Sequence, residues 1–334
     1  MTKTSFIMTE KVRIKDIAEK SGVSVGTVDR VLHNRPNVSK KAREKVEKVL
    51  KEINYQPNMY ASALAYNKSY QFYCIIPQHD SEAYWEEIED GTAKACETRR
   101  DFHISTEIMY YQRYDIKSFV QTTKECLEKK PNGVIVVPAD IKVTKHFCET
   151  MHERKIPFIL LDSYIPDVNP LTFFGQDSFS SGKFAAKMLM LLAANDKEIM
   201  LFKRMKNGKV ASRQQENREL GFRHYMNEHF PNVRIAELDV PVEGSPESNE
   251  KKLEQFFSAH PGIRNCITLG SKAHIVGEFL LKTNRRSVQI MGYDMVEKNA
   301  QCLRKGSISF LIAQHAYMQG YHCVDSFFKV IVLY

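Results

Sequence analysis

Most of the reactive side chains in this chain do not assemble into a catalyst. His146, Cys148 and His152 have the residue types of a metal cluster, but on a helix positions 146 and 148 point about 200° apart, so only Cys148 and His152 share a face. They read as ordinary helix residues. Glu86, Glu87, Glu89 and Asp90 form a carboxylate run better suited to a solvated helix face than to an acid–base pair. No GxGxxG, no phosphate-binding GKS or GKT and no GxSxG is present. The sequence therefore points away from an enzyme and calls for no metal or cofactor.

What remains is recognition chemistry, in two places. Near the amino terminus, Ser24, Val25, Gly26, Thr27 and Arg30 occupy the start and outer side of a short helical run. Farther on, polar groups stand at the ends of apolar runs. Asp162 closes PFILLD and could either accept two hydroxyls or cap a turn. Gln314 closes FLIAQ and could donate or accept at the lobe boundary. Trp85 is the single tryptophan; its flat ring could stack on a sugar or a base, or anchor a helix in the core.

The elements that must hold these residues can be read from punctuation and periodicity. Ile14, Ile17 and Ala18 share one helical face, Gly22 suits a tight turn, and Ser24 can cap the next helix. That helix turns Val28, Val31 and Leu32 inward, leaving Val25, Gly26, Asp29 and Arg30 outside. Ser39 caps a third helix with Val46, Leu50 and Ile53 at i, i+4 and i+7, closing a small core. Two helices joined by such a turn make a helix-turn-helix unit, whose second helix enters the major groove of DNA.

A solvated three-helix bundle would match the same pattern but leaves the charge unexplained. Residues 1–70 hold 14 Lys and Arg against 7 Asp and Glu, whereas residues 71–334 hold 34 against 33. Concentrating the excess on one fifth of the chain is expected of a module that contacts phosphates.

From Phe72 onward apolar runs alternate with helical stretches: FYCIIP, HISTEIMYY, GVIVVPA and PFILLD, then a second series opening with TFFG and continuing through EIMLFK, RIAELDV, CITLG and VQIMGYD. Alternation of this kind predicts parallel sheets covered on both faces, arranged as two doubly wound lobes. Ligands in such sheets bind beyond the carboxyl ends of the strands.

The 334 residues exceed one average domain, and 43% hydrophobic content allows a sizeable core. Seven scattered cysteines, an odd number, suit a reducing compartment rather than a disulfide framework. MTKTSFIMTEKV has no apolar signal core and no later run reaches membrane-span length, so a cytoplasmic protein is expected.

The run from Val12 to Leu64, including GVSVGTV and INYQPN, resembles the DNA-binding headpiece of the lactose/galactose-repressor family of bacterial transcription regulators. The resemblance implies that Val25 and Gly26 face base edges, with Arg30 one turn on, that Ser24 and Thr27 contact phosphate, and that Asn37 touches the operator from its loop. It places Tyr55, Asn58 and Ala61 in the same DNA-binding set. A hinge helix is implied near Pro57, with Leu64 where a leucine from each monomer wedges into the minor groove. Off DNA, so short a helix is expected to be disordered. Two departures stand out: Asp29 replaces a usual Ser, and Val25 and Gly26 offer almost no hydrogen bonding, leaving thymine methyls or DNA shape to be read.

The remainder resembles the type I periplasmic-binding-protein fold through PFILLD, NRELGF, IMGYD and IAQ. The expected layout is a headpiece at 1–56, a hinge and linker at 57–70 and a two-lobed effector and dimerisation domain at 71–334, with a first lobe of about 71–174 and 314–334 and a second of about 175–313. The resemblance makes Arg218 a ligand-gripping arginine and sets Trp85, Asp162 and Gln314 at the cleft. In ITLGSKAH the family's Asn-Asp is replaced by Gly270 and Ser271, followed by Lys272. A cation in place of an anion suits a uronate or sugar phosphate better than a neutral sugar.

The family also has a further strand crossing back to the second lobe, whereas this sequence ends at SFFKVIVLY: either the sequence is truncated or this member lacks the third crossing, and in the second case two connections rather than three, and looser closure, are expected. The implied function is a homodimeric regulator that binds a palindromic operator in double-stranded DNA and answers to a small-molecule effector. A solute-binding protein and an architectural DNA-binding protein with a vestigial cleft are the alternatives.

Overall fold

The computed structural model describes residues 13–32, 36–53, 55, 68–79, 83–206, 208–210 and 212–333. The chain divides into two compact units, one within Met1–Asn67 and the other Lys68–Val332.

The first unit holds α1 (Ile14–Ser21), α2 (Val25–Leu32) and α3 (Lys40–Glu52). Gly22 ends α1 with φ 65°, and its N–H donates to the carbonyls of Ala18 and Glu19. Ser39 caps α3 by accepting from the Ala42 N–H, as its hydroxyl predicts. Ile17, Ala18, Val28, Val31, Val46 and Val49 are buried together, with Ile14, Leu32, Leu50, Ile53 and Tyr55 packed around them. Val49, not Leu50, is the second fully inward residue of α3. The expected stripe of Val46, Leu50 and Ile53 is kept and widened by Val49, because α3 faces both α1 and α2.

The second unit contains two parallel sheets. The first has the order β2-β1-β3-β4-β5, formed by β1 (Tyr70–Pro77), β2 (Ile104–Tyr111), β3 (Gly133–Val136), β4 (Phe158–Asp162) and β5 (Thr172–Gly175). Every residue of β3 and β4 is buried, as strands covered on both faces require. Their cover is α4 (Ala83–Glu97), α5 (Ile116–Glu128), α6 (Ile141–Glu153) and α12 (Ala316–Phe327).

The second sheet comprises β6 (Glu198–Lys206), β8 (Arg234–Pro241), β9 (Asn265–Thr268), β10 (Gln289–Tyr293) and β11 (Ile308–Ile312), with β7 (Lys209–Val210) antiparallel to the end of β6. Because β8 and β9 both pair with β6, the parallel order is β8-β6-β9-β10-β11, the same winding as the first sheet. Helices α7 (Ser178–Leu192), α8 (Arg213–His229), α9 (Pro246–Ala259), α10 (His274–Lys282) and α11 (Glu297–Arg304) flank it.

One expectation needs correction. TFFG does not open the second series: Leu160, Leu161 and Asp162 of β4 pair with Phe173, Phe174 and Gly175, so β5 completes the first sheet. The chain enters the second lobe just after Gly175 and returns between β11 and α12. Close glycine contacts seat a helix pair in each lobe. A Cβ on Gly182 or Gly221 would land on the carbonyl of Arg218 or Phe179, so α7 and α8 meet backbone to backbone. Gly91 and Gly320 do the same for α4 and α12.

Candidate functional site

In the first unit, the start of α2 carries the groups that sequence analysis singled out. Ser24 Oγ accepts from the Thr27 N–H at 3.2 Å and lies 2.9 Å from Thr27 Oγ1, so one hydroxyl pair marks the positive end of the helix. Val25 is half exposed, Gly26 and Arg30 are exposed, and a Cβ on Gly26 would meet only Ser24 Oγ, at 3.9 Å. Asp29, the departure from the family pattern, is only partly exposed. Asn37 is exposed, with φ 68°. Tyr55 packs against the headpiece core, its N–H donates to the Leu50 carbonyl, and burial pushes its phenol up. Asn58, Ala61, Leu64 and the expected hinge helix lie outside the described residues.

In the second unit, the carboxyl ends of β4, β9, β10 and β11 meet the first turns of α8. Arg218 is the hub. It is 2% exposed and makes four hydrogen bonds: Nε and Nη2 donate to Gln176 Oε1 at 3.2 and 2.9 Å, Nη2 also to Gln314 Oε1 at 2.7 Å, and Nη1 to the Leu269 carbonyl at 3.0 Å. Its guanidinium lies 4.0 Å from the Tyr293 ring centroid. A guanidinium this buried needs acceptors, and it draws them from three separate chain segments.

Gln314 relays the hub onward, since its Nε2 donates to Asp294 Oδ1 at 2.7 Å. Burial raises the Asp294 carboxyl to about 6, opposed by the Gln314 hydrogen bond and Arg218 and reinforced by Asp162. Asp162 is buried, and burial raises it too; the Tyr84 hydroxyl donates to its Oδ1 at 2.7 Å and the Ser163 hydroxyl to its Oδ2 at 3.2 Å. The Gln214 amide reaches across from α8 to the Asp162 carbonyl at 2.6 Å, tying the two lobes together. Asp162, Asp294 and His315 all have positive φ, 68°, 65° and 52°, so backbone strain gathers where the strands end.

Ser271 and Lys272 lie just before α10, both partly buried. Their loop is held by Asn299, fully buried, whose Nδ2 donates to the carbonyls of Ser271, Tyr293 and Asp294 at 3.0 Å each. Asn299 Oδ1 accepts from the His274 N–H at 2.9 Å and faces His274 Nδ1 at 3.0 Å. Burial lowers His274 to about 4, so at neutral pH the uncharged ring donates from Nδ1.

Asp162, Arg218 and Gln314 are thus brought together. Trp85 is not part of their hydrogen-bonded set: it is 4% exposed, stands edge-on to Tyr84 with ring centroids 4.9 Å apart, and has the Arg113 guanidinium 5.7 Å from its centroid. Its neighbour Tyr84 makes the polar contact. Sequence reading missed Tyr84, Gln176, Gln214, Asp294 and Asn299. Only Asp294 carried a signal, since IMGYD ends in an aspartate as PFILLD does. Lone amides and a tyrosine beside a tryptophan have no distinguishing local pattern.

Among the described residues no three His, Cys, Asp or Glu side chains could hold a metal ion. His152 Nε2 meets the Val168 carbonyl at 2.9 Å, Cys148 is buried, and His146 is exposed beside Glu149. No helix of the described residues is long and apolar enough to cross a membrane.

The chain thus combines a basic helix-turn-helix unit with a two-lobed α/β unit whose polar groups converge at the strand ends. Comparison with known proteins agrees. Residues 13–58 match the family described as bacterial regulatory proteins, lacI family, and residues 72–332 match the periplasmic binding protein domain. The chain belongs to the lacI family of bacterial regulatory proteins.

Relatives include the HTH-type transcriptional regulator DegA of Bacillus subtilis, 27% identical over 65% of this chain and 61% of its own length. The ribose operon repressor of Halalkalibacterium halodurans is 24% identical over 84% and 80%. The chain spans about six-tenths of DegA and 54% of the Staphylococcus xylosus sucrose operon repressor. Among solved structures, a Bacteroides fragilis protein assigned as a LacI transcriptional regulator is 42% identical, with a TM-score of 0.75 over 79% of this chain and 91% of that one. A solute-binding protein from Agrobacterium radiobacter in complex with D-arabinose shares the fold, with a TM-score of 0.65 at 18% identity over 79% and 89%.

Proposed function

We propose that this protein is a cytoplasmic transcription regulator that binds a palindromic DNA operator as a homodimer and responds to a sugar held between the lobes. The observation that carries the reading is the set of groups around Arg218, where two buried carboxyls, a guanidinium and several amides converge at the strand ends. Alternating acceptors and donors match hydroxyls, each of which can both donate and accept. Two carboxyls against one buried arginine already make the site acidic, which favours a neutral polyol. Lys272 argues for an anionic sugar. The relatives named as ribose and sucrose operon repressors support the sugar class.

Ser24, Val25, Gly26, Thr27, Arg30 and Asn37 form the proposed DNA face, with Asn58, Ala61 and Leu64 in the hinge. Two such faces related by a dyad would meet two half-sites. Ligand closing the lobes would change operator affinity through unequal binding to two states. Domain limits of 1–56, 57–70 and 71–334 are proposed on the same grounds.

The test is selection of bound duplexes from genomic fragments, followed by fluorescence anisotropy on the selected site with and without sugars. Salt-sensitive, sequence-selective binding that shifts with one sugar is expected. Sugar binding without DNA binding would favour a solute-binding protein. DNA binding indifferent to every ligand would favour an architectural role.

A further inference from the structure

Gln215 lies on α8 one turn before Arg218, on the side facing the end of β9. Its side-chain amide packs against Gly270. A Cβ built there would stand 2.5 Å from Nε2, 2.8 Å from Cδ and 3.2 Å from Oε1 of Gln215. Gly270 does not have a positive φ, so backbone conformation does not demand glycine at this position. What glycine supplies is room for the amide.

The amide itself is unspent. Gln176, Gln214, Gln314 and Gln319 each have hydrogen-bonded side chains in this region. Among the described residues the Gln215 side chain makes no such bond, although it is only partly exposed. Its neighbour Arg218 donates to the carbonyl of Leu269, the residue before Gly270, so the unpartnered amide sits beside the hub of the cleft.

We infer that Gln215 is a specificity-determining residue that offers one donor and one acceptor to adjacent hydroxyls of a neutral sugar, and that Gly270 exists to seat it. The inference rests on the proposed sugar site. A primary amide suits a vicinal diol, because its N–H and C=O point the same way with a spacing close to that of two neighbouring hydroxyls. It adds no charge, so it distinguishes sugars by hydroxyl geometry.

The experiment is calorimetric titration of the full chain with D-ribose, D-arabinose, D-glucose, D-galactose and sucrose, repeated for Gln215→Ala, Gln215→Glu, Gly270→Ala and the double variant Gln215→Ala/Gly270→Ala. For the tightest sugar, Gln215→Ala is expected to weaken binding about five- to tenfold, the worth of one or two neutral hydrogen bonds. Gly270→Ala should match it by pushing the amide aside, and the double variant should be no worse than Gln215→Ala. Gln215→Glu keeps the shape but loses the donor, and should fall between parent and Gln215→Ala. An affinity within twofold of parent for Gln215→Ala, or losses that multiply in the double variant, would overturn the inference and leave the sugar site standing. A parent that binds none of the five sugars overturns both.

Discussion

Asp294→Asn should stabilise the protein above neutrality while weakening sugar binding. Burial raises this carboxyl from its ordinary 3.8 to about 6. A group whose folded pKa lies above its unfolded one resists ionising in the fold. Stability is therefore intact below pH 3.8, falls as pH rises toward about 6, and is constant beyond. Each tenfold change in proton affinity corresponds to about 1.4 kcal/mol, so the full penalty is about 3 kcal/mol, and about 1.4 kcal/mol of it develops between pH 5 and pH 8.

Asparagine removes the ionisation, tolerates the left-handed backbone at this position, and still offers Oδ1 to the Gln314 amide. Urea unfolding followed by circular dichroism at pH 5 and pH 8 gives the stability of parent and variant at each pH. The variant's advantage should be larger at pH 8 by about 1.4 kcal/mol, whatever constant offset the new amide introduces. An advantage that does not change with pH would refute the assignment of Asp294 as a buried, reluctantly ionised carboxyl. Ligand affinity should fall in the same variant, a trade of binding for stability expected where a site is strained to receive a partner.

Further outcomes follow from the packing. Gly182→Ala places a methyl on the Arg218 carbonyl, so α7 and α8 must part; a loss of about 1–3 kcal/mol is expected by urea denaturation, with weaker sugar binding because Arg218 moves. Asn299→Ala strands three carbonyls and the His274 donors in the core, and should lower stability by about 3 kcal/mol in the same assay. Gly26→Ala meets only Ser24 Oγ, at an ordinary contact distance of 3.9 Å, and should leave the headpiece melting temperature unchanged or raised, worth up to about 1 kcal/mol, while altering which duplexes bind in anisotropy titrations. Unchanged sequence preference would remove Gly26 from the DNA face.

The headpiece was largely legible because its determinants are local. Gly22 and Ser39 perform the turn and the cap that their types predict, and Val28 and Val31 point inward as the 3.6-residue period requires. The lobes were legible as alternating strands and helices. The allocation of Thr172–Gly175 was not, because an apolar strand of four residues can pair in either sheet and only its register with β4 decides. At the cleft, Asp162, Arg218 and Gln314 could be picked from strand ends and helix starts, whereas Gln176, Gln214 and Gln215 are unremarkable amides in the sequence.

By itself the sequence determined the class of the protein: where the basic charge lies, which residues punctuate the headpiece helices, and that two wound lobes follow a small helical module. These depend on neighbours a few residues apart. Only the tertiary structure decided which polar groups share the cleft. A buried guanidinium must find its acceptors wherever folding brings them, and here they come from Gln176, Leu269 and Gln314, on segments separated by whole strands and helices.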